Sequence, residues 1–151
     1  MAIIAAYCDG ANRISKPGMA ACAWMINLPG GQVSRGYFLG PEPHTNNFAE
    51  YQGLLRLLRY LHEINTTDVL IHCDSMLVVE QVNGRWDVKH KELLPFVNEA
   101  YGLLTAGHHR LVHVRGHGKN ANATDNEGND FVDKLCNQVL DQQEALNVGK
   151  N

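Results

Sequence analysis

The sequence contains few cysteines, and no two of them lie close together. The four are Cys8, Cys22, Cys73 and Cys136 in a chain of 151 residues. Structural zinc sites and the disulfide frameworks of small secreted domains need closely paired cysteines. We therefore expect reduced, buried thiols, with Cys8 and Cys73 near each other if the strands that carry them are neighbours.

Long hydrophobic runs and a basic N-terminal segment are also missing. The first ten residues, MAIIAAYCDG, contain no lysine or arginine and only a short apolar run. Signal peptides have a basic start and a longer apolar stretch, and a membrane helix needs about 20 apolar residues. The sequence thus favours a soluble protein of the cytoplasm that does not bind membranes.

An excess of positive charge is the third absence. The net charge is -3 and the isoelectric point is about 6.2. A module that binds nucleic acid by charge alone has a basic footprint, so this balance argues against such a module. Two divalent cations would add four positive charges and change the net charge from -3 to +1, concentrated at one place.

The composition is otherwise that of a globular protein, with 44% hydrophobic and 19% charged residues. The length fits one domain over 1–151, with a core over about 3–144. No repeat, low-complexity tract or linker divides the chain.

Hydrophobic patterning predicts three strands followed by helix, strand, two helices, strand and helix. The predicted strands cover 2–8, 18–27, 32–39, 68–73 and 110–115. The predicted helices cover Phe48 to Leu61, 75–82, 91–104 and a segment after a polar loop at 116–126, with Phe131, Leu135 and Val139 facing inward. Pro29-Gly30 predicts a type II turn between the second and third strands. This order indicates an α/β fold with a mixed sheet covered by helices.

Four acidic residues stand at the edges of these elements. Asp9 and Asp74 each follow an apolar strand, and ligand sites in open α/β sheets form at the carboxyl ends of strands. Glu50 and Asp130 lie near the starts of two helices that can meet the same edge. Clustered carboxylates repel one another, and Mg²⁺ or Mn²⁺ would offset that repulsion with oxygen ligands.

Each acid also has a simpler interpretation. Asp9 before glycine is a common turn former, and Asp74 is a suitable helix cap. Glu50 follows Asn47 by three residues, the spacing of a capping box. Asp130 near a helix start interacts favourably with the helix dipole.

Several motifs occur in a fixed order along residues 3 to about 140. They are Tyr7-Cys8-Asp9-Gly10-Ala11, Thr45-Asn46-Asn47-Phe48-Ala49-Glu50, His72-Cys73-Asp74-Ser75, and Gly116-His117-Gly118 followed by Asn126-Glu127-Gly128-Asn129-Asp130. Together they resemble the successive motifs of type 1 ribonuclease H. The resemblance implies the ribonuclease H-like fold, a five-stranded mixed sheet flanked by helices.

The resemblance also implies a metal site. Asp9, Glu50, Asp74 and Asp130 match the tetrad that holds two Mg²⁺ ions in this family, with Asp9 bridging them and Mn²⁺ as a substitute. His117 matches the loop histidine that assists proton movement or product departure, and a histidine titrates near neutral pH. Glu127 is expected as an outer-shell acid.

Substrate contacts follow from the same resemblance. Thr45, Asn46 and Asn47 match a segment that touches the backbone of a nucleic-acid hybrid, although helix capping explains the same residues. Gly10 and Asn12 are further candidates, with main-chain groups around Gly10 as donors to the 2′-hydroxyl of RNA.

The segment between Ser75 and Lys91 departs from many bacterial members because it lacks their lysine-rich protrusion. It resembles a compact subtype, in which Trp86 and Lys89 remain as contacts to the sugar–phosphate backbone. Packing after a turn is the alternative for Trp86.

The predicted function is endonucleolytic hydrolysis of the RNA strand of RNA–DNA hybrids by a two-metal-ion mechanism, leaving 5′-phosphate and 3′-hydroxyl ends. We expect a monomer that binds the hybrid substrate. Two alternatives stay open: a catalytically silent nucleic-acid-binding module, and a DNA-directed nuclease of the same superfamily.

Overall fold

Five strands form one mixed sheet in the computed structural model, which describes residues 3–115 and 123–149, without the side chains of 123–126. The strands are β1 (Ile4–Asn12), β2 (Ala20–Leu28), β3 (Gly31–Phe38), β4 (Val69–Cys73) and β5 (Arg110–His113). Their order across the sheet is β3-β2-β1-β4-β5. The pairs β1–β4 and β4–β5 are parallel, and the pairs that join β1, β2 and β3 are antiparallel. The predicted five-stranded mixed sheet is confirmed.

The hairpin of β2 and β3 is confirmed, but its turn differs from the prediction. Leu28 pairs with Gly31, so Pro29 and Gly30 form the loop. A type II turn needs a positive φ at the glycine that follows proline. The positive φ, 139°, is instead at Gly31, which makes the predicted turn type wrong.

Strand β1 is longer than predicted and contains Asp9 in its interior. Its parallel pairing with β4 stops at Cys8 and Cys73, whereas its antiparallel pairing with β2 continues to Asn12. The acid therefore lies where one neighbouring strand has ended and the other has not. This position exposes one side of β1 to the chain that follows β4.

Helices cover both faces of the sheet. They are α1 (Asn46–Glu63), α2 (Met76–Val82), α3 (Leu94–Gly107) and α4 (Ala123–Val148), and a 3-10 turn at Lys91–Leu93 precedes α3. Alternating residues of β1 and β2 point to opposite faces. Those on one face, such as Cys8 and Trp24, pack with α1, α2 and α3, and those on the other, such as Tyr7 and Met25, pack with α4. No helix in the described residues is both long and apolar enough to span a bilayer.

Helix α4 begins earlier than the sequence pattern indicates. It starts at Ala123, inside the segment predicted as a polar loop. Its fully buried face consists of Val132, Cys136 and Leu140. Phe131, predicted to face inward, is 38% exposed, because this helical register turns it away from the sheet.

Two glycines allow α1 to lie directly against β1. A Cβ atom on Gly10 would collide with the backbone of Ala49, and one on Gly53 would lie 2.5 Å from the carbonyl oxygen of Asp9. Both obstacles are backbone atoms, which cannot rotate away. The contact therefore fixes the distance between the N-terminal turns of α1 and the centre of β1.

We predict that Gly53→Ala destabilises the protein by about 1–3 kcal/mol, the usual cost of overpacking a tight contact. The matched control is Gly102→Ala in α3, where an added Cβ meets no atom within 4 Å. The control should gain up to about 1 kcal/mol from helix propensity. Chemical denaturation measures both, and equal effects of the two substitutions would contradict the close contact.

Candidate active site

Asp9 forms the floor of the site and is 4% exposed. The backbone N–H of Gly10 donates to its Oδ1 at 2.9 Å. The interpretation of Asp9 as a turn former is wrong, since the residue is paired with Ala23 inside β1.

Glu50 reaches the same point from α1. The N–H of Gly10 also donates to its Oε1, which links the helix carboxylate to the strand. Helix α1 is capped by Thr45, whose Oγ1 accepts from the N–H of Phe48 at 3.0 Å. Glu50 is therefore free of the capping role and is buried against β1. The N–H of Gly10 thus serves both carboxylates, and the contact to substrate from main-chain groups around Gly10 stays a prediction.

Asp74 follows the last residue of β4. The next residue, Ser75, caps α2 by accepting from the N–H of Val78 at 3.3 Å, so the capping interpretation of Asp74 is wrong. His113, at the end of β5, donates from Nε2 to the carbonyl oxygen of Asp74 at 3.1 Å. The backbone that carries Asp74 is thus held by the neighbouring strand.

The structure brings these three acids together. Carboxylate oxygens of Asp9, Glu50 and Asp74 all lie within 4.8 Å of one another. The pKa of Asp9 is raised to about 7, chiefly by burial and also by the charges of Asp74 and Asp133, against the lowering effect of its hydrogen bonds. Burial also holds the pKa of Glu50 well above its ordinary value. A cation would relieve this crowding of charge.

Asp133 of α4 lies beside this group, whose three members among the described residues are Asp9, Glu50 and Asp74, and the role of Asp130 as the fourth acid stays a prediction. Asp133 lines the same cleft as Asp9, Glu50 and Asp74, and its charge reaches Asp9. The thiol of Cys136 contacts the carbonyl oxygen of Asp9 at 3.8 Å, which marks the side of α4 that faces the site. At 3.6 residues per turn, Asp133 lies about 60° from Cys136 around the helix and Asp130 about 120°. The sequence argument chose Asp130 because it ends the last motif of the resemblance, Asn126-Glu127-Gly128-Asn129-Asp130.

The carboxylates open into a cleft of about 420 Å³. Its lining also includes four of the residues predicted to bind substrate: Gly10, Asn12, Asn46 and Asn47. The side-chain amide of Asn12 donates to the carbonyl oxygen of His44, which ties β1 to the segment before α1.

Two further pockets adjoin this cleft through Asn47. One contains Thr45, and the other contains Trp86 and Lys89. These predicted contacts therefore lie along one continuous surface with the carboxylates.

One predicted site residue lies elsewhere, and another falls outside the described residues. Glu127 is exposed and lines a separate pocket with Tyr7 and Phe131, so the structure does not bring it to the carboxylates. His117 lies outside the described residues, and its role stays a prediction.

The cysteines behave as predicted. All four are buried and free, and Cys8 and Cys73 are partners in the parallel register of β1 and β4. Cys8 directly precedes Asp9 and Cys73 directly precedes Asp74, so these two thiols pack directly beneath the carboxylates.

Comparison with known proteins identifies the family. The model of a family described as reverse transcriptase-like matches residues 7–139. Ribonuclease HI of Halobacterium salinarum is 35% identical over 139 residues, which covers 90% of this chain and 63% of that protein. The chain belongs to the type 1 ribonuclease H family. A solved structure of LC11-RNase H1 in complex with an RNA/DNA hybrid is 26% identical, with a TM-score of 0.74, and the match covers 93% of this chain and 98% of that one.

A longer relative shows the same domain in another setting. The bifunctional protein Rv2228c of Mycobacterium tuberculosis is 36% identical over 97 residues, covering 64% of this chain. The present chain spans about a quarter of that protein, 24% of its length.

The donor set of the ribonuclease H site fits a hard divalent cation. Asp9, Glu50 and Asp74 offer carboxylate oxygens alone, the ligands that Mg²⁺ and Mn²⁺ prefer. Their mutual distances allow shared coordination. Burial and mutual repulsion raise the pKa values of Asp9 and Glu50, and a bound cation would lower this cost of ionising them.

We predict that Asp9→Asn raises the melting temperature of the metal-free protein near pH 8 and has a much smaller effect near pH 5. The folded-state pKa of Asp9 lies above its reference of 3.8, so the folded chain binds the extra proton and loses stability as pH rises towards about 7. Asparagine carries no charge and removes that loss. Calorimetry in chelator measures the difference, and an equal effect at both pH values would contradict the clustering of charge.

Proposed function

We propose that the chain hydrolyses the RNA strand of RNA–DNA hybrids in the presence of a divalent cation, leaving 5′-phosphate and 3′-hydroxyl ends. The observation that carries the proposal is the convergence of Asp9, Glu50 and Asp74 within 4.8 Å in an open cleft. The hybrid bound in the LC11-RNase H1 structure supports the substrate class.

In this proposal, Asp9, Glu50 and Asp74 would hold two Mg²⁺ ions, with Mn²⁺ as a substitute, together with a fourth acid from α4: Asp130 by the resemblance, or Asp133 by its place in the cleft. When bound, such ions supply positive charge that favours attack of water on a phosphodiester and stabilises the leaving oxygen. Asp9 would be the central ligand, because it is the most buried of these acids and lies close to both Glu50 and Asp74. The Gly10 N–H orients the carboxylates of Asp9 and Glu50 towards each other.

The start of α1 is the proposed contact to the RNA backbone. Asn46 and Asn47 lie in the first turn, where backbone N–H groups and the positive end of the helix dipole attract phosphate. Both line the cleft beside Glu50, and Asn12 lies across from them. Phosphates of the cleaved strand therefore meet donors next to the acids.

The second strand of the hybrid is proposed to follow the adjoining groove of about 490 Å³, which contains Trp86 and Lys89. Trp86 is 46% exposed, so its ring is open to a sugar or base. Lysine beside it offers a charge for phosphate. Thr45, at the cap of α1, lies between this groove and the next.

Roles for two further residues remain proposals. His117 would assist proton movement or product departure. Glu127 would act as an outer-shell acid, at a distance from the carboxylates of Asp9, Glu50 and Asp74. The monomeric state and the cytoplasmic location also stay predictions.

A cleavage assay tests the function. Labelled hybrid, single-stranded RNA, single-stranded DNA and duplex DNA are each incubated with Mg²⁺, with Mn²⁺ and with chelator. The proposal predicts metal-dependent cleavage of the RNA in the hybrid, and its loss in Asp9→Asn. Cleavage of DNA instead would favour the DNA-directed nuclease, and binding without turnover would favour the silent module.

Asp133 and Asp130 make a matched pair for the fourth acid. We predict that Asp133→Asn lowers kcat by at least about tenfold to a hundredfold, since removing a metal-site group costs that much or more. Asp130→Asn should keep more of the activity if Asp133 is the fourth acid, because Asp133 lines the cleft and its charge acts on Asp9. Steady-state kinetics and Mn²⁺ titration distinguish them; the opposite ranking would restore Asp130 to the site.

A further inference from the structure

A buried hydrogen bond leads from the catalytic helix to the neighbouring helix. Tyr51 follows Glu50 in α1 and is fully buried. Its hydroxyl donates to Oε1 of Gln81 in α2 at 2.7 Å. This hydrogen bond fixes the oxygen of the buried Gln81 side-chain amide.

The other end of that amide holds the loop with the proposed substrate contacts. Nε2 of Gln81 donates to the carbonyl oxygen of Asp87 at 3.5 Å. Asp87 lies between Trp86 and Lys89 in the segment 84–90, which we call the Trp86 loop. This segment is irregular and exposed except at the half-buried Val88.

The first part of the Trp86 loop has its own attachment. The N–H groups of Arg85 and Trp86 donate to the carbonyl oxygen of Glu80 at 2.9 and 3.1 Å. Arg85 also pairs with the carboxylate of Glu80 at 2.6 Å on the surface. Asp87 lies beyond these bonds, where the amide of Gln81 meets the loop from the inside.

We propose that Tyr51 and Gln81 are positioning residues that fix the Trp86 loop relative to the acids, so that Trp86 and Lys89 meet the second strand of the substrate. The connection runs through three elements: α1 carries Glu50 and Tyr51, α2 carries Gln81, and the loop carries Trp86. This inference rests on the proposed function for the identity of the substrate.

The hydrogen bonds of Gln81 would set the affinity for the hybrid through the position of the Trp86 loop, although neither Tyr51 nor Gln81 contacts the reacting atoms. A side-chain amide that is satisfied at both ends has one preferred orientation, and loss of either partner leaves a buried polar group unsatisfied. Displacement of the loop would weaken binding of the second strand and leave the carboxylates in place. The expected signature is therefore a change in KM with little change in kcat.

The first variant is Tyr51→Phe, with Tyr101→Phe as its control because Tyr101 is exposed on α3. Tyr51→Phe should raise KM for the hybrid by about threefold to tenfold, the equivalent of one hydrogen bond. Its kcat and the Mn²⁺ concentration at half-maximal activity should stay near those of the unmodified chain. The control should change none of these values.

Fluorescence supplies a readout that needs no activity. The chain has two tryptophans, and Trp24 is 1% exposed whereas Trp86 is 46% exposed. Quenching by acrylamide therefore reports on Trp86. Tyr51→Phe should alter the quenching constant, and the control should not. If the chain failed to cleave hybrids, the proposed function would fall while this test of loop position would still give an answer.

The double variant Tyr51→Phe/Gln81→Leu separates positioning from simple stability. It removes both buried polar groups, so its melting temperature should recover relative to Tyr51→Phe. KM should remain raised and quenching altered, because Asp87 has lost its contact. Recovery of KM together with stability, or an unchanged KM and quenching constant in Tyr51→Phe, would overturn the inference.

Discussion

Helix α1 lies so close to strand β1 that no side-chain carbon fits between them. Gly10 faces the backbone of Ala49, and Gly53 faces the carbonyl oxygen of Asp9. Because glycine has only a hydrogen atom as its side chain, the first turns of α1 reach the centre of the sheet. Glu50 then shares the N–H of Gly10 with Asp9. Everything else in the site is built around this contact, since the other acids approach from strand and helix ends that flank it.

The close approach has an electrostatic consequence. Asp9 and Glu50 are removed from water and placed beside Asp74, so their ionised forms lose solvation and repel one another. Native structures keep such an arrangement where an opposite charge compensates it. Hard cations, which take oxygen ligands, would supply that charge, and the first turn of α1 would offer donors to a phosphate beside them. Fold stability and catalytic capacity therefore depend on the same few atoms.

The sequence predicts the layout better than the details. The spacing of Leu54, Leu58 and Leu61 gives α1, and the apolar runs before Asp9 and Asp74 give two neighbouring strands. Whether β1 continues past Asp9 depends on pairing with β2, and no local pattern shows where that pairing stops.

The fourth acid shows the same limitation. Its identity depends on the rotation of α4 about its axis. That helix begins inside a polar segment, so the hydrophobic pattern does not show where it starts. The buried series Val132, Cys136 and Leu140 was available as a signal for that rotation, and by helix geometry Asp133 lies nearer to this buried face than Asp130 does. The most direct test of the account is an anomalous difference map from a crystal soaked in Mn²⁺. The account predicts density between the carboxylates of Asp9, Glu50 and Asp74, with Asp133 beside it; a well-ordered map without density there would contradict it.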